Sequence, residues 1–290
     1  MRTNTRRAFG LALAIIGGAG LSGCTDSPFD NEIKPEARVM RGQVRLDDPQ
    51  DALAGVYVWL EGVNLSTRTD NTGKFQIEIP TSLTSAGGVA VNGVFRLYCY
   101  VANYTVSSAE IVVRNGQFEY GHGGLTPSGD LKEPMRLFKI LTITTIVDPP
   151  VVPRDYRAGI DMQTTFAATM DSVLLVVPKS VGGLLGGIFF RHLQTGDIFI
   201  DIPDLGADTR DRFLVGNQPV SRRQIFQLNG VNFRELFLPA GDFEVIPFFF
   251  IEQENLPSGL LKSLGENVEG PNEEYLRIPF RREGGAFQVF

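Results

Sequence analysis

Alternation of apolar and polar residues is the main pattern along the chain after about residue 36. In the stretch GVYVWLEG, Val56, Val58 and Leu60 alternate with Tyr57 and Trp59, and the later stretch GKFQIEIP alternates in the same way. Because successive side chains of a strand point to opposite faces, each stretch predicts a strand with one apolar face. The residues TDNTG between them favour a turn, since Asp and Asn hydrogen-bond their own backbone and Gly accepts a positive φ.

The same pattern continues beyond residue 150. Strand-like runs follow one another there, and they are SVLLVVP, GGIFFRHL, DIFIDIP, RQIFQL, NFRELFLP, DFEVIPFFFIE, EYLRIPF and AFQVF. Residues 194–197 and the pair Asn229-Gly230 predict hairpin turns. The runs and turns together predict a second antiparallel sandwich. PSGLLKSL predicts one short helix that starts at Pro257.

The run FEVIPFFFIE is apolar on both faces. Phe243 and Val245 fall on one face, and Ile246 and Phe248 fall on the other. A strand of this kind is normally covered on both sides, which predicts a central strand or one packed against the first domain. The alternative is an exposed Phe patch that docks a partner.

The N-terminus has the features of an export signal. Three arginines precede an apolar stretch of 13 residues at 8–20, which is too short to cross a bilayer. Leu21-Ser22-Gly23-Cys24 follows, and this resembles the lipobox of bacterial lipoproteins. The resemblance implies cleavage between Gly23 and Cys24, acylation of Cys24 and, because Thr25 rather than Asp comes next, sorting to the outer membrane of a Gram-negative bacterium. A plain signal peptide or a single anchoring helix is the alternative.

Composition and charge narrow the class of protein. Without residues 1–23 the chain has 267 residues with 24 basic and 33 acidic side chains, a net charge of −9. This charge argues against nucleic-acid partners. The lipobox resemblance implies the membrane as a partner, reached through the lipid on Cys24, and an envelope protein or a glycan is the candidate further partner. Residues 24–35 predict a flexible tether. The proline-rich stretch VDPPVVPRD predicts a connector between two domains that fold separately, at 36–147 and 148–290.

The first domain resembles the carboxypeptidase regulatory-like family. The matching residues are Gly42, Gln43, Val44, Gly55, Val56, Val58, Thr69, Asp70, Gly73 and Phe75. The resemblance implies a prealbumin-like (transthyretin-like) β-sandwich that serves as an accessory or recognition module and carries no catalytic residues. The predicted fold class is therefore all-β, with two β-sandwich domains in tandem.

No enzyme motif is present in the sequence. H-E-x-x-H, G-x-S-x-G and the phosphate-binding loop are all missing, and only His122 and His192 could serve as an imidazole base. Asp48, Asp51 and Asp70 lack the spacing of a calcium loop. No catalytic, metal or cofactor-binding residues are predicted, and Cys99 is expected to be a buried apolar residue.

The functional hypothesis is a non-enzymatic, lipid-anchored envelope protein that acts in recognition or assembly. The alternative is a polysaccharide-acting hydrolase or its accessory carbohydrate-binding subunit. The predicted binding surface consists of Tyr57, Trp59, Arg96, Tyr98 and Tyr100, since exposed rings suit sugar stacking and protein contacts. In the competing interpretation the second domain covers these rings.

Overall fold

The computed structural model describes residues 37–83, 90–180, 182–203, 209–228 and 236–290. Residues 37–290 form one compact unit. The export signal, the cleavage site at Gly23 and Cys24, and the tether at 24–35 lie outside the described residues. Within the described ranges, no helix is long and apolar enough to cross a membrane.

The N-terminal half consists of two sheets. Its strands, in chain order from β1 to β8, are Val39–Leu46, Tyr57–Leu60, Leu65–Arg68, Lys74–Glu78, Gly93–Tyr100, Ser107–Arg114, Gln117–Phe118 and Met135–Leu137. One sheet has the order β4-β1-β8 and the other the order β3-β2-β5-β6-β7. A 3₁₀ turn at Thr81–Leu83 follows β4.

One apolar core joins these two sheets. Val58 of β2 and Phe75 of β4 lie in it, as the alternation predicts, together with Met40 and Ile111. Cys99 is also fully buried there, and burial raises the pKa of its thiol because the thiolate loses its hydration. The prediction for Cys99 is confirmed, and this half is a β-sandwich.

Thr69, Asp70 and Gly73 have defined structural roles in the turn before β4. The Thr69 hydroxyl donates to the backbone oxygen of Leu53 at 2.5 Å and accepts from the backbone N–H of Val56 at 2.9 Å. The Asp70 carboxylate accepts from the backbone N–H groups of residues 72 and 74. Gly73 has a φ of +75°, and a Cβ there would lie 2.4 Å from the backbone oxygen of Val44. Only glycine fits this position.

The C-terminal half contains the remaining strands and the short helix. From β9 to β20 the strands are Leu141–Asp148, Val151–Val152, Ile160–Ala168, Val173–Pro178, Gly187–His192, Ile198–Asp201, Arg210–Val215, Val220–Phe226, Gly241–Phe248, Phe250–Glu252, Glu283–Gly284 and Ala286–Val289. The helix α1 is Leu260–Leu264, close to its predicted position, and a 3₁₀ turn covers Glu273–Arg277.

Three sheets build this second sandwich. Their strand orders are β10-β20-β17-β13-β14, β16-β11-β9-β19 and β15-β12-β18. A single core includes residues from all three sheets, among them Phe166, Leu175, Phe190 and Val245. The hairpin predicted at 194–197 is present between β13 and β14, which pair antiparallel. The turn predicted at Asn229-Gly230 lies outside the described residues. The fold is therefore all-β, with two β-sandwiches in tandem.

The strands β17 and β18 are covered on both faces. Phe243 and Val245 lie in the core of the second sandwich, whereas Ile246 and Phe248 lie in a separate apolar cluster shared with the N-terminal half. β17 is also an interior strand, between β20 and β13. The prediction of a strand covered on both sides is confirmed: β17 is a central strand and also packs against the first sandwich, and its rings are not an exposed patch.

The two cores divide earlier in the chain than predicted. Leu137 belongs to the first core, and Leu141 belongs to the second. The predicted boundary after residue 147 is wrong because β9 pairs along its length with β11 of the second sandwich. The proline-rich connector is also part of that sandwich, since β10 within it pairs with β20 and Val152 is buried.

One predicted strand is a 3₁₀ turn. The run EYLRIPF alternates in the sequence, but residues Glu273–Arg277 turn back after Asn272, whose side chain accepts a hydrogen bond from the backbone N–H of Glu274 at 2.8 Å. Tyr275 is completely buried, and its hydroxyl lies 2.9 Å from the backbone oxygen of Phe249. An N-cap and one buried anchor therefore outweigh the local strand pattern.

Candidate functional site

The aromatic residues predicted as a binding surface do lie on one face of one sheet. β2 and β5 pair antiparallel, and this register places Tyr57 opposite Tyr100 and Trp59 opposite Tyr98. The Trp59 and Tyr98 rings stack with their centroids 5.9 Å apart. Arg96 is on the same face of β5 and remains exposed.

This face is covered by the C-terminal half, so the prediction of an open aromatic surface is wrong. Only 4% of Tyr57, 5% of Trp59 and 4% of Tyr100 is exposed. Their cluster includes Leu260 and Leu264 of α1. Covering the rings removes a large apolar area from water, which is the reason the halves pack at this place.

Specific contacts fix the packing. The Tyr57 hydroxyl lies 2.9 Å from the hydroxyl oxygen of Ser263. Gly259 lies directly against the indole, since a Cβ at this position would be 3.0 Å from the ring of Trp59. The indole N–H donates to the Asn64 side chain at 3.0 Å. These rings therefore hold the two sandwiches together.

A polar cluster surrounds Lys139, where the chain passes from the first core to the second. The Lys139 ammonium lies 2.6 Å from Asp48 and 2.8 Å from Asp51, and only 8% of the Lys139 side chain is exposed. The Tyr104 hydroxyl also donates to Asp51. Burial alone would lower the pKa of Lys139, but its hydrogen bonds with Asp48 and Asp51 outweigh that effect and raise it. Two of the aspartates weighed as calcium ligands thus bind a lysine.

The two histidines differ in burial and in their contacts within the described residues. The His192 Nδ1 accepts from the backbone N–H of Thr195 at 3.1 Å, and its ring packs edge-on against Phe243 with centroids 5.0 Å apart. His122 is exposed, with its Nδ1 3.9 Å from the Glu119 carboxylate. Among the described residues, no group of three or more His, Cys, Asp or Glu could hold a metal ion.

A cleft of about 990 Å³ opens beside α1. Its apolar lining includes Phe250, Leu256 and Leu261, and its charged residues include Glu254 and Lys262. The volume is in the range that holds a small organic ligand. Tyr100 also lines this cleft, so one ring of the predicted surface contributes to a different cavity.

A second cleft, of about 550 Å³, is rich in arginine; we call it the arginine cleft. It is lined by Arg68 from β3, Arg191 from β13, and Arg281 and Arg282 from the segment before β19. The acids along it are Asp51, Glu244 and Glu283.

Sequence reasoning missed the arginine cleft. The only local signal is the adjacent pair at 281 and 282 after an apolar run. The meeting of this pair with Arg68, more than 200 positions earlier, depends on the packing of the two halves.

Comparisons with known proteins add one distant structural match. No family model matches the chain, and no curated protein matches it. Among solved structures, a mutant of the major pilin from Streptococcus pyogenes aligns over 72% of this chain and 81% of its own length. The identity of that alignment is 9% and its TM-score is 0.20.

Proposed function

We propose that the chain is a lipid-anchored protein of the bacterial cell envelope that acts in recognition or assembly rather than catalysis. The observation that carries the proposal is the tetrapeptide Leu21-Ser22-Gly23-Cys24 behind a charged and apolar leader. Thr25 favours the outer membrane as the destination. The acidic, proline-containing residues 24–35 would then separate the folded unit from the lipid.

Several features of the described residues support a recognition role. The turn at Thr69, Asp70 and Gly73 uses side-chain contacts that suit the carboxypeptidase regulatory-like resemblance, which implies an accessory module. In the described ranges both histidines hydrogen-bond with backbone groups: His192 with residues 195 and 240, and His122 with residue 120. The clefts, in contrast, are large enough for a ligand.

The anchoring is tested by Cys24→Ala. Cells expressing either form are fed a clickable palmitate analogue, and the labelled protein is read on a gel. We expect label on the wild type and none on the variant, because the Cys24 thiol is the acyl acceptor. Cys99→Ala is the matched control and should keep the label. Equal labelling of the Cys24→Ala protein would refute the lipoprotein assignment.

The polysaccharide hydrolase or accessory subunit remains the second candidate, and the cleft of about 990 Å³ is the observation that favours it. Incubation of the purified protein with envelope polysaccharide distinguishes the two. New reducing ends would identify a hydrolase. Retention on the polysaccharide without cleavage would identify an accessory binding subunit, and recovery of an envelope protein in a pull-down would support the first proposal.

A further inference from the structure

The arginine cleft holds more positive charge than its acids neutralise. Asp51 is paired with Lys139, and Glu244 is paired with Arg191. Glu283 is exposed and has no ion pair among the described residues. Arg68, Arg281 and Arg282 have no carboxylate within 4.0 Å in the described part of the chain. Three guanidinium groups therefore line one cleft without a bonded counter-charge.

Arg68 and Arg281 are held in place by backbone oxygens. Arg68 donates to Gly55 at 3.0 Å and to Arg277 at 2.6 Å. Arg281 donates to Ala52 at 2.9 Å and to Ala54 at 2.7 Å. A carbonyl acceptor fixes a guanidinium without neutralising it, and each guanidinium has five N–H donors, so both retain donors for a ligand.

Arg282 makes the fewest hydrogen bonds of the three arginines within the described residues. Its planar group lies 4.0 Å above the Phe280 ring, and it donates to the Tyr275 hydroxyl at 3.2 Å. Its Nε atom is buried and has no hydrogen-bond partner among the described residues. A buried donor without an acceptor is costly, and natural proteins usually supply a partner, an ion or a ligand.

The electrostatics of the cleft agree with this geometry. Burial lowers the pKa of Arg282, because the charged form loses water, while Tyr275 and Glu244 act in the other direction. A bound anion would stabilise the charged form directly. The chain after residue 23 has a net charge of −9, so a cleft with an excess of cations contrasts with the molecule around it.

We propose that the arginine cleft binds the oxyanion group of a small ligand, a carboxylate, sulfate or phosphate, through Arg282 with Arg68 and Arg281. Guanidinium groups suit such groups because two parallel N–H donors match two oxygens. The cleft is larger than a single ion, so it has room for the body of an acidic sugar or organic acid as well. The proposal deepens the recognition function by naming the ligand chemistry.

The test is calorimetric titration of the full-length protein in a neutral detergent. Sodium sulfate, sodium phosphate and sodium D-glucuronate are the probes, each at an ionic strength held constant with sodium chloride, and D-glucose is the uncharged control. We expect saturable binding of at least one oxyanion and none of glucose. Tighter binding of glucuronate than of the inorganic ions would identify a carboxylate-bearing sugar as the ligand type.

Variants place the binding in the cleft. Arg282→Gln should weaken it about tenfold or more, as expected when a charge-assisted hydrogen bond is lost. Glu283→Gln should strengthen it about twofold to threefold, because an exposed like charge is removed from the rim. Arg96→Gln removes the same charge as Arg282→Gln from an exposed position outside the cleft, and it should bind like the wild type.

Two results would overturn the proposal. One is the absence of saturable binding for all three oxyanions. The other is equal weakening by Arg282→Gln and Arg96→Gln, which would indicate a general charge effect. If Arg282→Gln does not fold, Arg68→Gln and Glu283→Gln decide the question, because both side chains are exposed. Labelling of Cys24 is independent of these titrations, so the two proposals fail separately.

Discussion

Replacement of Trp59 by alanine tests whether the aromatic face joins the two sandwiches. Trp59 is 5% exposed, stacks on Tyr98 and lies against Gly259 of the C-terminal half. Its indole N–H also donates to Asn64. If the ring were a ligand platform in water, its removal would leave the free energy of unfolding almost unchanged.

The expected loss follows from the packing. Truncation of a buried tryptophan to alanine costs about 3–5 kcal/mol through lost burial and the cavity that remains. For a protein of about 250 residues, each kcal/mol corresponds to about 2–4 °C in the unfolding midpoint. The midpoint of Trp59→Ala should therefore fall by about 6–20 °C.

The assay is thermal unfolding followed by far-ultraviolet circular dichroism on the full-length protein in neutral detergent. Arg96→Ala is the matched control, since it changes an exposed residue of the same face and should stay within about 0.5 kcal/mol of the wild type. Trp59→Phe should recover part of the loss. A loss of unfolding free energy below about 1 kcal/mol for Trp59→Ala, which is a midpoint shift below about 2–4 °C, would refute this reasoning. It would indicate that the ring is open to solvent and accessible to a ligand.

Two further predictions concern the junction and the division of the chain. Lys139→Met should lower the unfolding midpoint at neutral pH, because it leaves Asp48 and Asp51 without their cation. The hydrogen bond from Lys139 lowers the pKa of Asp48 in the folded protein, so the stabilisation is present above the pKa of an unfolded aspartate and is lost as the pH falls through the folded pKa. The difference in unfolding midpoint between Lys139→Met and the wild type should therefore shrink below about pH 4. A constant difference in midpoint from pH 3 to 7 would contradict this prediction. A fragment of residues 37–140 should unfold cooperatively. The fluorescence emission of Trp59, the only tryptophan of the chain, should shift to the red in this fragment, because the C-terminal half no longer buries the ring. A fragment without a cooperative transition would show that the first sandwich does not fold separately.

The strands of the first sandwich could be predicted from the sequence because one face of each meets its own core. Val58 and Phe75 are apolar at period two, and the structure buries both. The same pattern places Tyr57 and Trp59 together on the opposite face. The alternation pattern does not predict that this opposite face is buried, because the residues that cover it come from α1 and β17. Exposure of a face is a property of the tertiary fold.

The second sandwich was harder to predict where local signals compete. The strand β11 contains DMQTT, in which polar residues interrupt the apolar pattern, yet the strand lies between β9 and β16 and is held by both ladders. The prolines before β10 predict a connector between domains, but Val152 of this segment is buried in the core of the second sandwich. In both cases pairing with distant strands outweighs the local preference.

The helix α1, which covers the rings of Tyr57 and Trp59, is synthesised long after the first sandwich, and this affects folding during biosynthesis. Tyr57 and Ser263, which hydrogen-bond across the junction, are 206 residues apart. At a synthesis rate of about 5–20 residues per second, the aromatic rings of the first sandwich stay exposed for about 10–40 s before α1 has been synthesised. During that interval the nascent chain presents a contiguous aromatic patch to water, which is the kind of surface that holdase chaperones bind and that drives aggregation between neighbouring chains.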